Sequence, residues 1–502
     1  MSTARTLGRN TAMRYGTLFV DVVVGLMLLP YNLGHLGATD YGLWILSASV
    51  ARYVSFLDLG FGGGLVRFVA ECRATGDHRR LSEFVSTTFA AFAVASAVAM
   101  VLMTTLAFAY DRVFAVNAAQ ATVGRIVLLI VATRLIVGLP LSVFGAVING
   151  TQRYALNNAV SIATTILAAA ANVIVIERGG GVVSVVLSTT AVHLAAYVAY
   201  VTNAHRVQPG LRVSLRLASV ARFREIGAFS GYLLVLDWSH KVNYSLDPFV
   251  IGWGLGPGAV AQFTPAVRVA QSMRDLTAQF QTILFPAVVD LRTRRDQRRL
   301  MTLLVEGTRL STALAIAVGL SVIVLAEPLL VAWIGPSLAS SAPVLQVLAL
   351  SMLARVAHGT AATILKGSGG HRYLALNNAV VALFNIVLSI ILVRRLGLIG
   401  VALGTAIPVS IGALLVMPRA CHRLDLPVRT FFQQAIWPVI WPALPTSVAV
   451  WALREAMAPY RLLPILAIGA AGAAFYLALV YSFGLTVDAR ATLQARLKAA
   501  VA

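Results

Sequence analysis

Long apolar runs separated by short polar breaks govern this chain from end to end. Apolar windows lie near 14–34, 42–70, 83–110, 121–149, 155–176 and 182–204; a second set lies near 227–251, 258–288, 301–334, 342–365, 373–393 and 398–420. A last pair follows near 433–456 and 461–485. A helix needs about 20 apolar residues to cross hydrocarbon, and only a helix or a closed barrel can satisfy its backbone there. The pattern therefore predicts an all-α polytopic membrane protein with about 14 transmembrane helices.

Composition strengthens this reading. Of 502 residues, 59% are hydrophobic and 12% charged, with a mean hydropathy of +0.82. A soluble chain carries about a quarter charged residues, so an ordinary multidomain soluble enzyme is excluded. The net charge of +21 would suggest nucleic acid in a soluble protein. In a membrane protein, cytoplasmic loops collect Lys and Arg to fix topology, and that explanation is tested first.

Alternate connections divide the charges sharply. One side holds the N-terminus, 71–80, 152–154, 205–225, 290–299, 366–372, 419–429 and the C-terminal tail, with roughly 25 Lys or Arg in all. The other side holds Arg112, Arg178, Arg394, Arg395, Arg454 and Arg461. Both termini are therefore expected in the cytoplasm. The run Arg292, Arg294, Arg295, Arg298, Arg299 reads as a topology anchor, with no nucleic acid expected as partner. No cleavable secretory signal is read before the first span. Cys72 and Cys421 suggest neither a disulfide nor a metal centre, and no cofactor is expected.

An internal repeat sets the domain plan. Ala155-Leu156-Asn157-Asn158-Ala159-Val160 returns as Ala375-Leu376-Asn377-Asn378-Ala379-Val380, each after an Arg-Tyr pair, 220 residues apart. Leu36-Gly37 and Leu255-Gly256 echo each other at a separation of 219. Six spans per copy make the repeats parallel, related by an axis along the membrane normal. The expected plan is an N-lobe at 1–212, a C-lobe at 213–429, and two extra helices with a cytoplasmic tail at 430–502. A central cavity is expected between the lobes.

Ionisable residues inside the spans each cost roughly 2.5 to 3.5 kcal/mol at mid-bilayer, so they must face water or one another. In the seventh span Ser230, Asp237, His240, Lys241, Tyr244 and Asp247 share an arc of about 120° at the helical period. Arg52, Arg134, Lys241, Arg268 and Arg355 are candidates for a cationic path that takes an anionic cargo, since the Arg fork matches phosphate oxygens. Asp21, Asp237, Asp247 and His240 are candidates for a coupling ion or a gate. Arg67, Arg274 and Arg309 read rather as internally paired or snorkelling side chains. The run Asp58-Leu59-Gly60-Phe61-Gly62-Gly63-Gly64 should weaken or bend the second helix. No acidic pair or His cluster is placed for catalysis, so no catalytic residue is assigned.

The stretch Leu36-Gly37-Ala38-Thr39-Asp40-Tyr41-Gly42-Leu43-Trp44, the core Leu57-Asp58-Leu59-Gly60, and Arg67-Phe68-Val69-Ala70 resemble the first two spans of the polysaccharide transport family. These are the O-antigen, or lipid-linked oligosaccharide, flippases of the multidrug/oligosaccharidyl-lipid/polysaccharide exporter superfamily. The resemblance implies a bacterial inner-membrane protein that moves an undecaprenyl-diphosphate-linked oligosaccharide to the periplasmic leaflet by alternating access. It implies a proton or sodium gradient as the drive, membrane lipid around the cargo, and a polysaccharide polymerase or other assembly proteins as partners. Lipid II flippases and multidrug/cation antiporters share the plan; the extra helices resemble the pair that offers a lipid-tail groove in the former. A membrane glycosyltransferase or polymerase is the competing enzyme class, and the short outer connections argue against it.

Overall fold

Apolar runs of bilayer length form helices, and the polar breaks become caps and turns. The computed structural model describes residues 3–58, 60–230, 246–484 and 490. Among the described residues there is no strand, and ten helical stretches are long and apolar enough to cross a membrane. The expected all-α membrane fold is therefore observed. The chain divides into two units, Met1–Ala261 and Gln262–Ala502.

In the first unit, α1 (Thr3–Arg52) covers the first span and the start of the second. Only Gly37 leaves the helical region, at φ 77° and ψ 164°. A side chain would oppose that conformation, and glycine accepts it freely. The second span is then interrupted where the glycine run begins: a 3₁₀ turn at Tyr53–Asp58 precedes α2 (Phe61–Thr75). Asp58 Oδ1 accepts the Gly62 N–H at 2.9 Å. This intramembrane carboxylate thus satisfies one of the open donors at a helix start.

Asp77 caps α3 (His78–Phe108), accepting the Arg80 N–H at 2.9 Å. A reciprocal box of Asn117 and Gln120 starts α4 (Ala118–Gly150). Then come α5 (Tyr154–Glu177), the turn at Gly179, and α6 (Val182–Val207). Phe68 stacks on Phe84 with ring centroids 4.5 Å apart, in a core that includes Leu65, Val147 and Ile226.

The connector after α6 is strapped along α3. Arg212 N–H donates to Ser82 Oγ, Ser214 N–H to Ser86 Oγ, and Ser219 N–H to Thr87 Oγ1. Glu225 then joins Arg80 at 2.7 Å and Arg222 at 2.8 Å, while Arg222 also reaches Glu83. Both guanidinium groups lie over the Phe84 ring. Partial burial works to raise the Glu225 pKa, but the hydrogen bonds from Arg222 and Arg80 outweigh it and hold the carboxyl below its ordinary value. The short helix α7 (Asp247–Gly254) closes this unit's described elements before α8 (Pro257–Thr293), within which the unit boundary falls. Gly42, in the motif noted above, lies so close to the Pro257 carbonyl that a Cβ there would overlap it.

In the second unit, Asp296 caps α9 (Gln297–Val324) by accepting the Arg299 N–H at 3.0 Å. The tenth expected span is α10 (Ala342–Ala357) and α11 (Gly359–Gly367), which meet at His358. α12 (His371–Arg423) holds the eleventh and twelfth, reversed at Gly397 with φ 60° and ψ −136°. Its two halves pack on each other: Thr405 Oγ1 donates to Asn385 Oδ1, and the Tyr373 hydroxyl donates to the Leu415 carbonyl. The last pair is a bulged helix, with a π-turn at Phe432–Ile436 leading to α13 (Ala443–Met457), and α14 (Leu462–Leu479).

The first asparagine of the repeated pair ties helices together in both places. Asn157 Nδ2 donates to the Gly145 carbonyl at 2.9 Å and to Asn149 Oδ1 at 2.8 Å, tying α5 to α4. Asn377 Nδ2 donates instead to the Gly412 carbonyl, across the two halves of α12.

Candidate functional site

The first unit gathers three polar constellations inside its spans. On α1, Asp21 Oδ1 accepts a hydrogen bond from Thr165 Oγ1 of α5 at 2.8 Å. At the end of α1, Arg52 and Asp247 are brought into one electrostatic neighbourhood through Tyr53, whose field both of them shape. The Tyr53 ring meets Phe249 edge-on at 6.3 Å, and Phe249 packs on Phe114 in the same way at 5.5 Å. Asp247 is buried at the first turn of α7, where the helix dipole favours a negative charge. The sequence placed Arg52 among cargo ligands and Asp247 among coupling groups, and the fold sets both within electrostatic reach of Tyr53.

Arg134 on α4 faces a pair on α6, interacting electrostatically with Tyr197 and with His193. His193 and Tyr197 are four residues apart and share a helix face. His193 Nδ1 lies 2.7 Å from the Thr189 carbonyl, which fixes that nitrogen as the donor and leaves Nε2 to face its surroundings. Gly138, one turn beyond Arg134, makes room for the Tyr197 hydroxyl. Among the histidines the sequence expectation fell on His240, not on His193 or its neighbour Tyr197. Their i,i+4 spacing on an otherwise apolar span was the available signal.

Lys241, Asp237 and His240 lie outside the described residues. Arg268 on α8 and Arg355 on α10 belong to the second unit, both half-buried. Arg355 and His358 occur three residues apart, on one face.

The second unit also contains a groove of about 580 Å³, lined almost wholly by apolar side chains. Ile316 and Leu320 of α9, Leu353 of α10, Leu414 of α12, and Phe432 and Ile440 of the bulged helix form its walls. The first helix of the C-terminal pair therefore supplies one wall and the repeated helices the other. Arg67 is exposed and stacks on Phe229, 4.2 Å from the ring centroid. Arg309 is buried, and its partners are described below. Among the described residues no group of His, Cys, Asp or Glu is arranged to hold a metal ion.

Residues 36–343 match the family described as polysaccharide biosynthesis protein. The chain belongs to this family. Relatives in two organisms extend the match over most of the chain. One is the probable flippase AglR of Haloferax volcanii, 22% identical over 429 residues, covering 83% of this chain and 85% of the relative. Another is the uncharacterized membrane protein EpsK of Bacillus subtilis, 22% identical over 451 residues, covering 89% and 88%. Among solved structures, the lipid II flippase MurJ in an inward closed conformation superposes with a TM-score of 0.73 at 13% identity, over 94% of this chain and 98% of MurJ. An inward-facing multidrug resistance MATE transporter of the MOP superfamily gives 0.60 at 14% identity, over 80% and 98%. The fold is thus the one these transporters share. The family membership expected from the motifs around Leu36–Trp44 is borne out: this is a polysaccharide biosynthesis protein with the fold those transporters share.

Proposed function

We propose that this polysaccharide biosynthesis protein is a flippase whose cargo is a polyprenyl-diphosphate-linked oligosaccharide, the undecaprenyl form in a bacterium. It moves the cargo from the cytoplasmic to the periplasmic leaflet of the inner membrane, with both termini in the cytoplasm. The observation that carries this reading is the apolar groove of the second unit, in a chain whose spans also hold half-buried arginines. Such a cargo is half prenyl chain and half charged sugar diphosphate, and those two features answer its two halves. AglR is named a probable flippase and MurJ a lipid II flippase, which supports the flippase reading.

Magnitudes separate the two roles. Burying apolar surface from water gains about 25 cal/mol per Å², but a prenyl chain leaving lipid for an apolar groove gains almost none of this. The groove therefore locates the chain rather than pulling on it. A diphosphate entering hydrocarbon unpaired costs far more, and a hydrated path bearing Arg52, Arg134, Lys241, Arg268 and Arg355 replaces its lost hydration. Asp21, Asp237, Asp247 and His240 are the groups assigned to a coupling proton or sodium ion. The protein acts as a transporter rather than an enzyme, and surface-polysaccharide polymerases are its expected partners.

The test is translocation of defined lipid-linked oligosaccharides, lipid II among them, in proteoliposomes with and without pH and sodium gradients. Gradient-dependent movement of a diphosphate-linked cargo is expected. Intact drug efflux with no movement of any such cargo would favour a multidrug/cation exporter instead.

A further inference from the structure

Arg309 sits in the middle of α9, only 4% exposed. A guanidinium so placed must spend its donors well, and the partners it finds are specific. Nε donates to the Gln434 carbonyl at 2.8 Å, and Nη2 donates to the same oxygen. Nη1 donates to the Glu306 carboxylate at 3.2 Å, one turn earlier on the same helix.

The Gln434 carbonyl needs an outside donor for a reason written in the sequence. In a continuing helix it would accept from the N–H four residues on, but that residue is Pro438, which has none. The same region is wound as a π-turn, Phe432–Ile436, with the Trp437 N–H reaching back to the Phe432 carbonyl. Arg309 fills the vacancy that the proline leaves. It thereby joins the C-terminal helix pair to α9 at the site where that pair is bulged.

The groove begins beside this join. On α9 its lining starts at Thr312, three residues past Arg309, and on the bulged helix it includes Phe431, Phe432 and Ile436, which bracket Gln434. The geometry points to Arg309 as a positioning residue that holds the bulged helix at the spacing the groove requires, and closes that end of it with a polar plug. It thus fits the protein to cargo with a long polyisoprenoid chain. This rests on the flippase reading above for its cargo, but not for the groove itself.

The experiment uses the full-length protein, wild type, Arg309→Met and Arg309→Lys, with two readouts. The first is photolabelling in detergent by a long-chain polyprenyl phosphate carrying a diazirine on its tail, with labelled residues located by mass spectrometry. Wild type should be labelled on groove residues, Arg309→Met should lose roughly tenfold in apparent affinity for the probe, and Arg309→Lys should recover part of it. The second is translocation of long-chain and short-chain polyprenyl diphosphate sugars. Arg309→Met should raise the half-saturating concentration for the long-chain cargo alone. Equal effects on both chain lengths, labelling untouched by Arg309→Met, or a wild-type groove that takes no label would each overturn the assignment. Groove labelling that depends on Arg309, with no translocation of either cargo by the wild type, would sink the flippase reading while upholding the role of Arg309.

Discussion

Asp77 and Asp296, 219 residues apart, cap two helices with the same geometry. Each accepts the main-chain N–H three residues on, at 2.9 and 3.0 Å, and their backbone angles agree within a few degrees. Around them Asp77-His78-Arg79-Arg80-Leu81 is echoed by Asp296-Gln297-Arg298-Arg299-Leu300. The offset matches that of Gly37 and Gly256, both of positive φ. The duplication is therefore kept most faithfully at helix joints.

Removal of either cap should cost about 1 kcal/mol of stability. Asp77→Ala and Asp296→Ala are expected to lower the thermal midpoint of the detergent-solubilised protein, and the double variant to show the sum of the two. Distant sites without shared partners add in this way. An unshifted midpoint in both single variants would show that water takes over the open donors at no loss.

Gly42→Ala is expected to destabilise by roughly 1 to 3 kcal/mol, because its methyl group would overlap the Pro257 carbonyl. Gly34→Ala, eight residues earlier on α1 with nothing within 4 Å of its new Cβ, serves as the contrast and should be neutral or stabilising. Thermal unfolding of the two variants side by side checks this.

Connector attachment should depend on pH in one direction. The folded-state pKa of Glu225 is lowered, so its contribution is present above the ordinary carboxylate range and is lost as pH falls through the lowered value. Amide protection of residues 208–225, after correction for the intrinsic pH dependence of exchange, should thus be flat from neutral pH down through about 5 and fall only below the usual glutamate value of about 4.3. Glu225→Gln should show the fast exchange already at neutral pH. Equal exchange in wild type and variant at neutral pH would remove the clamp from the account.

Arg52→Ala or Lys241→Ala should abolish transport while leaving membrane insertion intact. Export assayed beside membrane fractionation tells the two apart. Normal export by both variants would eliminate the proposed cationic path.

Helix positions were legible because the bilayer fixes how long an apolar run must be, and any apolar residue serves on a lipid-facing surface. The same indifference erases identity between the two copies, so only the Asn-Asn segment and the short Leu-Gly echo stood out, while the Asp77 and Asp296 caps did not. The interruption after Asp58 was visible as a glycine run; that Asp58 itself caps α2 depended on the backbone turning first. That Asp247 reaches Tyr53, the neighbour of Arg52, could not be read along the chain, since Phe249 beside it packs on the Tyr53 ring from far away in sequence. Arg309 was visible as a charge in a span with Glu306 one turn away, but its partner on the neighbouring helix is a main-chain oxygen, and side-chain chemistry gives no sign of one.

The reversal at Gly397 has a consequence for synthesis. With one non-helical residue between its halves, α12 has no loop at its reversal, where Arg394 and Arg395 are the only charges. Its first half would also arrive with the Asn385 amide still lacking Thr405, a bond the second half supplies. The two passes are expected to enter the bilayer as a pair, so that a chain truncated at residue 397 is held at the insertion machinery for longer than one extended through Arg423.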